Sequence, residues 1–431
     1  MQGRLNIFQR TMLQWNDLHP YNAIHVVRVP EPLDVEHLRI SIGRTLQSLG
    51  LSRLNLDRKA GRVRYEAGPA GCETQILSGE ADPRRVLSAE IERQLNLAFP
   101  QNAAPFEPFR FFAVSERDSF SLGLVYFHPV ADAEPVALLL RDIVQTYLAA
   151  NHPAPPEPFH LEAGRTDRLL RHPGQLARKL GSLPAFLSAI RSSRRLRYSD
   201  PNDQHNGFAC YALEPEILPR LLRAAKSWGV TLNDLFLALL LKSVSSQPAG
   251  RVRGRRRNIS VGCIVNIRKN LQLEHRRTFG VFLGSFVVTH EVPDGADLRQ
   301  LAGDIHRQTL RIKQGRLYLG TPLEMALGRW LLSLFSTERR KKLYQKHYPL
   351  WGGVTNMNMN SLWEPSGTAR PLDYLRAVST GPVTPLVLSV TTAGDRVNVG
   401  LTFRTTVFSA GDIERLKNNF QEALAGLEVR V

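Results

Sequence analysis

Apolar residues fall into two rhythms along this chain, and the switches between them outline its elements. Residues 5–17 carry apolar positions at helical spacing, and a strand pattern follows at 23–29 (AIHVVRV). A proline-bounded loop leads to a helix over 35–48, short strands at 62–65 and 73–76, and a helix over 83–95. Strands at 109–114 and 121–126 precede a tight loop and an amphipathic helix over 136–148. The stretch 151–160 (NHPAPPEPFH) has too much proline for an element interior and marks a lobe edge. Residues 160–206 are basic and partly helical, with a helix inside 176–197. A second series opens with a strand at 207–213 and a helix over 214–228, after which Thr231 caps a strongly apolar helix at 233–243. Strands at 258–265 and 281–289, a helix over 296–310, and strands at 353–357, 385–392 and 397–403 lead to a closing helix, 409–424. Both series mix strands and helices without strict βαβ alternation.

With 431 residues the chain exceeds one ordinary core, so two lobes are expected. The boundaries predicted are an N-terminal lobe at 1–160, a basic connecting region at 161–205 and a C-terminal lobe at 206–431. The 176–197 helix sets Leu, Phe and Ile against Arg and Lys, a pattern that suits a membrane surface and, in preference to that, packing on the protein's own body. Hydrophobic residues at 43% and charged residues at 22% describe a folded globular protein. No apolar run reaches the ~18 residues of a membrane span. The opening MQGRLNIFQR lacks the apolar core of a secretory signal, so a cytoplasmic location is expected. Cys72, Cys210 and Cys263 are widely spaced and without CxxC pairing, the pattern of buried thiols, with neither a disulfide framework nor a zinc site suggested.

Charge changes the picture. There are 56 Lys and Arg against 39 Asp and Glu, a formal net charge of +17. The excess gathers at 191–197 (RSSRRLR), 251–257 (RVRGRRR) and 339–346 (RRKKLYQK). Solvated surface accounts for such clusters, and so does an acidic partner: a carrier protein, the phosphates of coenzyme A or an anionic membrane. No helix-turn-helix, RNP-type aromatic motif or zinc spacing accompanies them, which argues against nucleic acid.

The segment with most chemistry is the loop after the 121–126 strand, FHPVADA, with His128 and Asp132. A histidine at the end of a buried strand is held rigidly and is the usual group for taking a proton from a hydroxyl or amine. The spacing alone is weak, because the chain holds a second HxxxD, His290 to Asp294.

In its landmarks the chain resembles the condensation-domain superfamily, which includes chloramphenicol-acetyltransferase-like acyltransferases and stand-alone relatives. The residues that carry the resemblance are WNDLHPYNAIH at 15–25, FHPVADA at 127–133, GVTLNDL at 229–235, VNIR at 265–268, FGVFLG at 279–284, VTNM at 354–357 and the segment 401–420. Their order and spacing are specific; no single one is. The resemblance implies an α/β (α+β) fold of two related chloramphenicol-acetyltransferase-like lobes, a V-shaped pseudo-dimer with a central channel, expected as a monomer. It implies His128 as the active-site histidine, Asp132 as the structural aspartate and Arg268 as the arginine that pairs with it. A guanidinium gives such a carboxylate a bidentate, permanently charged partner.

Two positions depart from the family pattern. Phe127 stands where a second histidine is frequent, and Ala133 where a glycine commonly follows the aspartate. If the latter position needed a positive φ, alanine would cost about 1 kcal/mol, so a different loop course is expected. Asp294 and Asp297 suit helix caps, which leaves His290 outside the site.

The reading is therefore an acyltransferase that makes an ester or amide from an acyl thioester. The donor would be acyl-CoA or a phosphopantetheine-linked acyl group on a carrier protein. Asn356, Ser389 and Thr391 are candidate channel-lining donors for a developing oxyanion. Neither a metal nor a tightly bound cofactor is implied. Two other classes stay open: a condensation fold without chemistry that holds a carrier protein or acyl chain, and a charge-driven protein of membrane surfaces or nucleic acid.

Overall fold

The strand Phe120–Phe127 is buried at all of its positions, because it runs through the middle of a sheet covered on both faces. In the computed structural model, the described residues are all but 70, 72–73, 80–81, 103–104, 150–154, 162–168, 170–172, 248–251, 254–255, 274–275, 364–370, 372 and 428–431. Cys72 and much of the 251–257 cluster lie outside them.

Among the described residues two large mixed sheets carry the fold. The first has five strands in the order Asp373–Val378, Asn22–Val29, Phe120–Phe127, Phe109–Ser115 and Thr74–Ser78. Its neighbours are antiparallel except the last pair, which is parallel. The helices Val35–Leu49 and Ala133–Leu148 add Leu38, Ile42, Leu46, Val136, Leu140 and Ile143 to its core. The second sheet has six strands, ordered Asn206–Leu213, Arg396–Arg404, Leu386–Ala393, Leu350–Asn358, Asn258–Asn266 and Leu283–Glu291. Leu350–Asn358 runs parallel to both its neighbours. A separate hydrophobic core joins this sheet to the helices Leu232–Ser245, Leu298–Gln314 and Ala410–Ala425. Thr231 caps the first of these in a reciprocal box with Asp234.

The two halves are not separate in sequence. Asp373–Val378, from within the expected C-terminal lobe, is hydrogen bonded to Asn22–Val29 as the edge of the first sheet. The boundary drawn at 206–431 therefore needs this strand moved across. Its interior arginine and short length hid it from the hydrophobic pattern. The strand lies directly against the second sheet at Gly400, where any Cβ would run into the Arg376 carbonyl oxygen. The helices Thr321–Ser333 and Thr337–His347 were also not assigned from the pattern, as was the strand Arg53–Asp57. The helix Pro173–Ser192 lies over the protein body, tied to Thr321–Ser333 by Lys179 and Glu324 at 2.5 Å.

Candidate active site

Pro129 and the end of its strand turn the chain at His128 into a short 3-10 turn, His128–Val130. The turn is pinned from a third element: the helix Ile7–Asn16 supplies Gln9, whose Nε2 donates to the Pro129 carbonyl at 3.1 Å. The His128 backbone N–H donates to Tyr21 O at 3.2 Å. Its ring stacks on Tyr21 at 5.3 Å between centroids and meets Tyr126 edge-on at 5.5 Å. Nδ1 lies 3.0 Å from the Ala131 carbonyl oxygen, which can only accept, so Nδ1 carries the proton and Nε2 keeps its lone pair. Burial pushes the imidazole pKa down to about 4, opposed by the Ala131 hydrogen bond and the Asp132 charge. At neutral pH the ring is an uncharged base.

Asp132 occupies the N-cap position of Ala133–Leu148, but its carboxylate does not cap the helix. It takes two parallel bonds from Arg268, Nη1 to Oδ2 at 2.7 Å and Nη2 to Oδ1 at 2.8 Å. The Phe282 backbone N–H adds a third at 2.9 Å. Both charged side chains are buried, and the guanidinium lies over the Phe282 ring at 4.9 Å. Asp132 thus fixes the loop to the second half of the chain. Ala133 begins the helix and is absent from the positive-φ residues, so this loop needs no glycine there. Phe127 points into the first core against Phe99 and Phe106, at 5.8 and 5.7 Å between ring centroids.

His128 lines a cavity of 740 Å³ whose wall draws on both sheets. Strand register sets Arg376 opposite His25, and Tyr126 and Val378 opposite Ala23, so one face of the first sheet forms one side. Asn356 and Ser389 line the cavity from the second sheet. Thr391 does not: it is fully buried, and its Oγ1 accepts from Arg376 Nε at 3.0 Å. Cys263 also lines the cavity, but burial raises its thiol pKa to about 11, which leaves it a poor nucleophile at neutral pH.

Sequence reasoning missed Arg376. This guanidinium is 5% exposed and has no carboxylate partner among the described residues. It donates to the Val390 carbonyl at 2.9 Å, and so stitches the crossover strand to the second sheet. Burial lowers its pKa to about 10, still cationic. Beside it, His25 accepts or donates at 2.7 Å to Tyr374 and is held neutral, first by burial and then by the Arg376 charge. An arginine inside an otherwise apolar run, YLRAV at 374–378, was the available signal.

His290 is apart from all this. It sits on Leu283–Glu291 with Nε2 at 3.1 Å from Asp304 and does not line the cavity. Asp297 caps the following helix through Gln300 N at 2.8 Å; Asp294 does not. Cys210 is half-buried and Cys263 buried, both free thiols. The described residues hold no cluster of metal-ligating side chains and no helix long and apolar enough to cross a membrane.

Comparison with solved structures decides the architecture. The condensation domain of the Monacolin K polyketide synthase MokA superposes with a TM-score of 0.68 at 12% identity, covering 99% of this chain and 97% of that one. The chain has a condensation-domain fold. The first condensation domain of the CDA synthetase gives 0.68 at 17% identity, covering 99% and 96%. The epimerization domain of tyrocidine synthetase B gives 0.63 at 14%, covering 99% and 96%. No family model and no curated protein matches the sequence. Condensation and epimerization domains thus share this mixed α/β fold, so chemistry has to be argued from the site.

Proposed function

We propose that this protein transfers an acyl group from a thioester to a hydroxyl or amine, giving an ester or amide, with His128 as general base. The observation that carries the proposal is His128 itself: neutral, fixed by the Ala131 carbonyl in the tautomer that leaves Nε2 unprotonated, and set in the wall of the cavity. The acceptor's O–H or N–H gives its proton to Nε2 as its lone pair attacks the thioester carbonyl. The tetrahedral oxyanion then collapses, the C–S bond breaks, and the imidazolium returns the proton to the departing sulfur. Atoms balance without a covalent enzyme intermediate, and the protonated Cys263 thiol is consistent with that. Ser389 and Asn356, on the facing wall, are the side chains proposed to meet the oxyanion. Asp132 and Arg268 would position the loop and take no proton.

The donor proposed is acyl-CoA or an acyl group on a carrier protein's phosphopantetheine arm. The likeness to condensation domains supports a thioester, and the +17 charge suits either polyanionic carrier. The cavity volume lies in the range of small-molecule sites, ~300–1,000 Å³. The test is mass spectrometry of products after incubating the protein with mixed acyl thioesters, CoA-bound and carrier-bound, and mixed alcohols and amines. An acylated acceptor formed only with protein present supports the reading. Binding of a donor without any turnover would favour the fold as a holder of carrier or acyl chain.

A further inference from the structure

The helix Thr321–Ser333 has a solvent face of the wrong composition for a protein surface. Leu327, Trp330, Leu331 and Leu334 recur at i, i+3, i+4 and i+7, the spacing of one helical stripe running into the C-terminal cap. They are 52%, 68%, 52% and 68% exposed, and Trp330 and Leu334 are the most exposed large apolar side chains among the described residues. Four such side chains in one stripe mark an interaction site. The opposite face of the same helix, through Met325, Gly328, Arg329 and Leu332, lines the cavity.

The next helix, Thr337–His347, begins three residues after Leu334 and exposes cations. Arg339, Lys342 and Lys346 are exposed at i, i+3 and i+7, and Glu338 is the only carboxylate between residues 325 and 348. The two helices are held in fixed relation by Arg340, whose Nε donates to the Leu332 and Phe335 carbonyls, both at 2.8 Å. We propose that this helix pair docks the protein on an anionic membrane surface, with the Trp330 stripe in the headgroup–acyl boundary and Arg339, Lys342 and Lys346 on the lipid phosphates. A tryptophan-bearing apolar stripe flanked by cations is the chemistry of interfacial membrane helices. A second copy of the chain would set basic helix against basic helix. A flat anionic bilayer takes both the stripe and the charges without needing a shaped partner. Docked this way, the helix that walls the cavity lies at the lipid surface, so a lipid-borne chain has a short path inward. The docking stands independently of the acyl-transfer reading.

The test is flotation of the full chain with vesicles of phosphatidylcholine alone and with phosphatidylglycerol added, at low and physiological salt. The expected result is binding to the anionic vesicles only, weakened by salt. Trp330→Ser with Leu334→Ser should lower that binding at least tenfold, and Arg339→Glu with Lys342→Glu should remove the preference for phosphatidylglycerol. Leu222→Ser, at an exposed leucine on another helix, should change nothing, and all variants should melt as the wild type does. No binding to anionic vesicles, or binding that survives both double substitutions, overturns the proposal. So does a concentration-dependent dimer abolished by Trp330→Ser with Leu334→Ser, which would make the stripe an interface between copies. Capture of an acidic carrier protein through the same residues, without vesicle binding, would overturn it as well.

Discussion

Arg268 reaches Asp132 across 136 residues of chain and meets both carboxylate oxygens, at 2.7 and 2.8 Å. One ion pair thus joins the His128 loop to the strand-end loop of the opposite sheet. Because both groups are buried, removing either leaves a charge unpaired away from water. Asp132→Ala and Arg268→Ala are each expected to destabilise by ~3–5 kcal/mol, and the double variant by less than the sum. Denaturant unfolding of the four proteins measures this, and strictly additive losses would mean the pair is not coupled.

The pH behaviour follows from buried histidines. His19 and His128 have pKa values lowered to about 4, and His25 is held well below its usual value. An unfolded histidine takes its proton near ~6.5, so below that pH the unfolded state binds more protons than the folded one. Stability is therefore full above that value and is lost as pH falls toward 4. His128→Gln should flatten the loss over this window in melting curves recorded from pH 7 to 4. For catalysis, the acid limb of kcat/KM is expected near pH 4, and a limb centred near 6.5 would mean the essential base is a solvated group.

Gly400 lets the crossover strand lie on the second sheet, since a side chain there meets the Arg376 carbonyl. Gly400→Ala should cost roughly 1–3 kcal/mol by overpacking. It should also lower kcat/KM, because the displaced strand carries the Arg376 wall of the cavity. Wild-type melting and wild-type activity together would show that the two sheets tolerate separation at this point.

Charge attraction to a carrier-borne donor should make its use salt-sensitive, since steering between opposite charges falls with ionic strength. Raising salt from low to physiological levels should lower kcat/KM for a carrier-bound donor and leave a small phosphate-free thioester nearly unchanged. Arg191 and Arg197 are exposed ends of one basic cluster, and reversing them should mimic the salt effect if that cluster meets the carrier. Equal salt response with both donors would leave the arginines as plain surface charge.

Much of the fold was legible because its core elements are periodic and strongly apolar. The strand Phe120–Phe127, the capped helix Leu232–Ser245 and the closing helix Ala410–Ala425 all lie within a few residues of where the pattern puts them. The pairing of Asp132 with Arg268 was anticipated from the resemblance; spacing alone carried no sign of it. What stayed hidden has a common cause: residues whose environment is set by distant chain. Arg376 sits in a strand that comes from the second half of the chain to edge the first sheet, and Thr391 faces that arginine where a free hydroxyl was expected. The helix Thr321–Ser333 carries apolar residues on two faces, one toward the cavity and one toward solvent, which blurs the single stripe that marks an ordinary surface helix.

The central claim is that His128 takes the acceptor's proton, and the most direct measurement is turnover of an accepted acyl thioester by His128→Ala and His128→Gln beside the wild type. With His128 as the base, kcat is expected to fall roughly 10²–10⁴-fold for both, with circular dichroism unchanged and His290→Ala fully active. A folded His128 variant that still acylates the acceptor at the wild-type rate would contradict it.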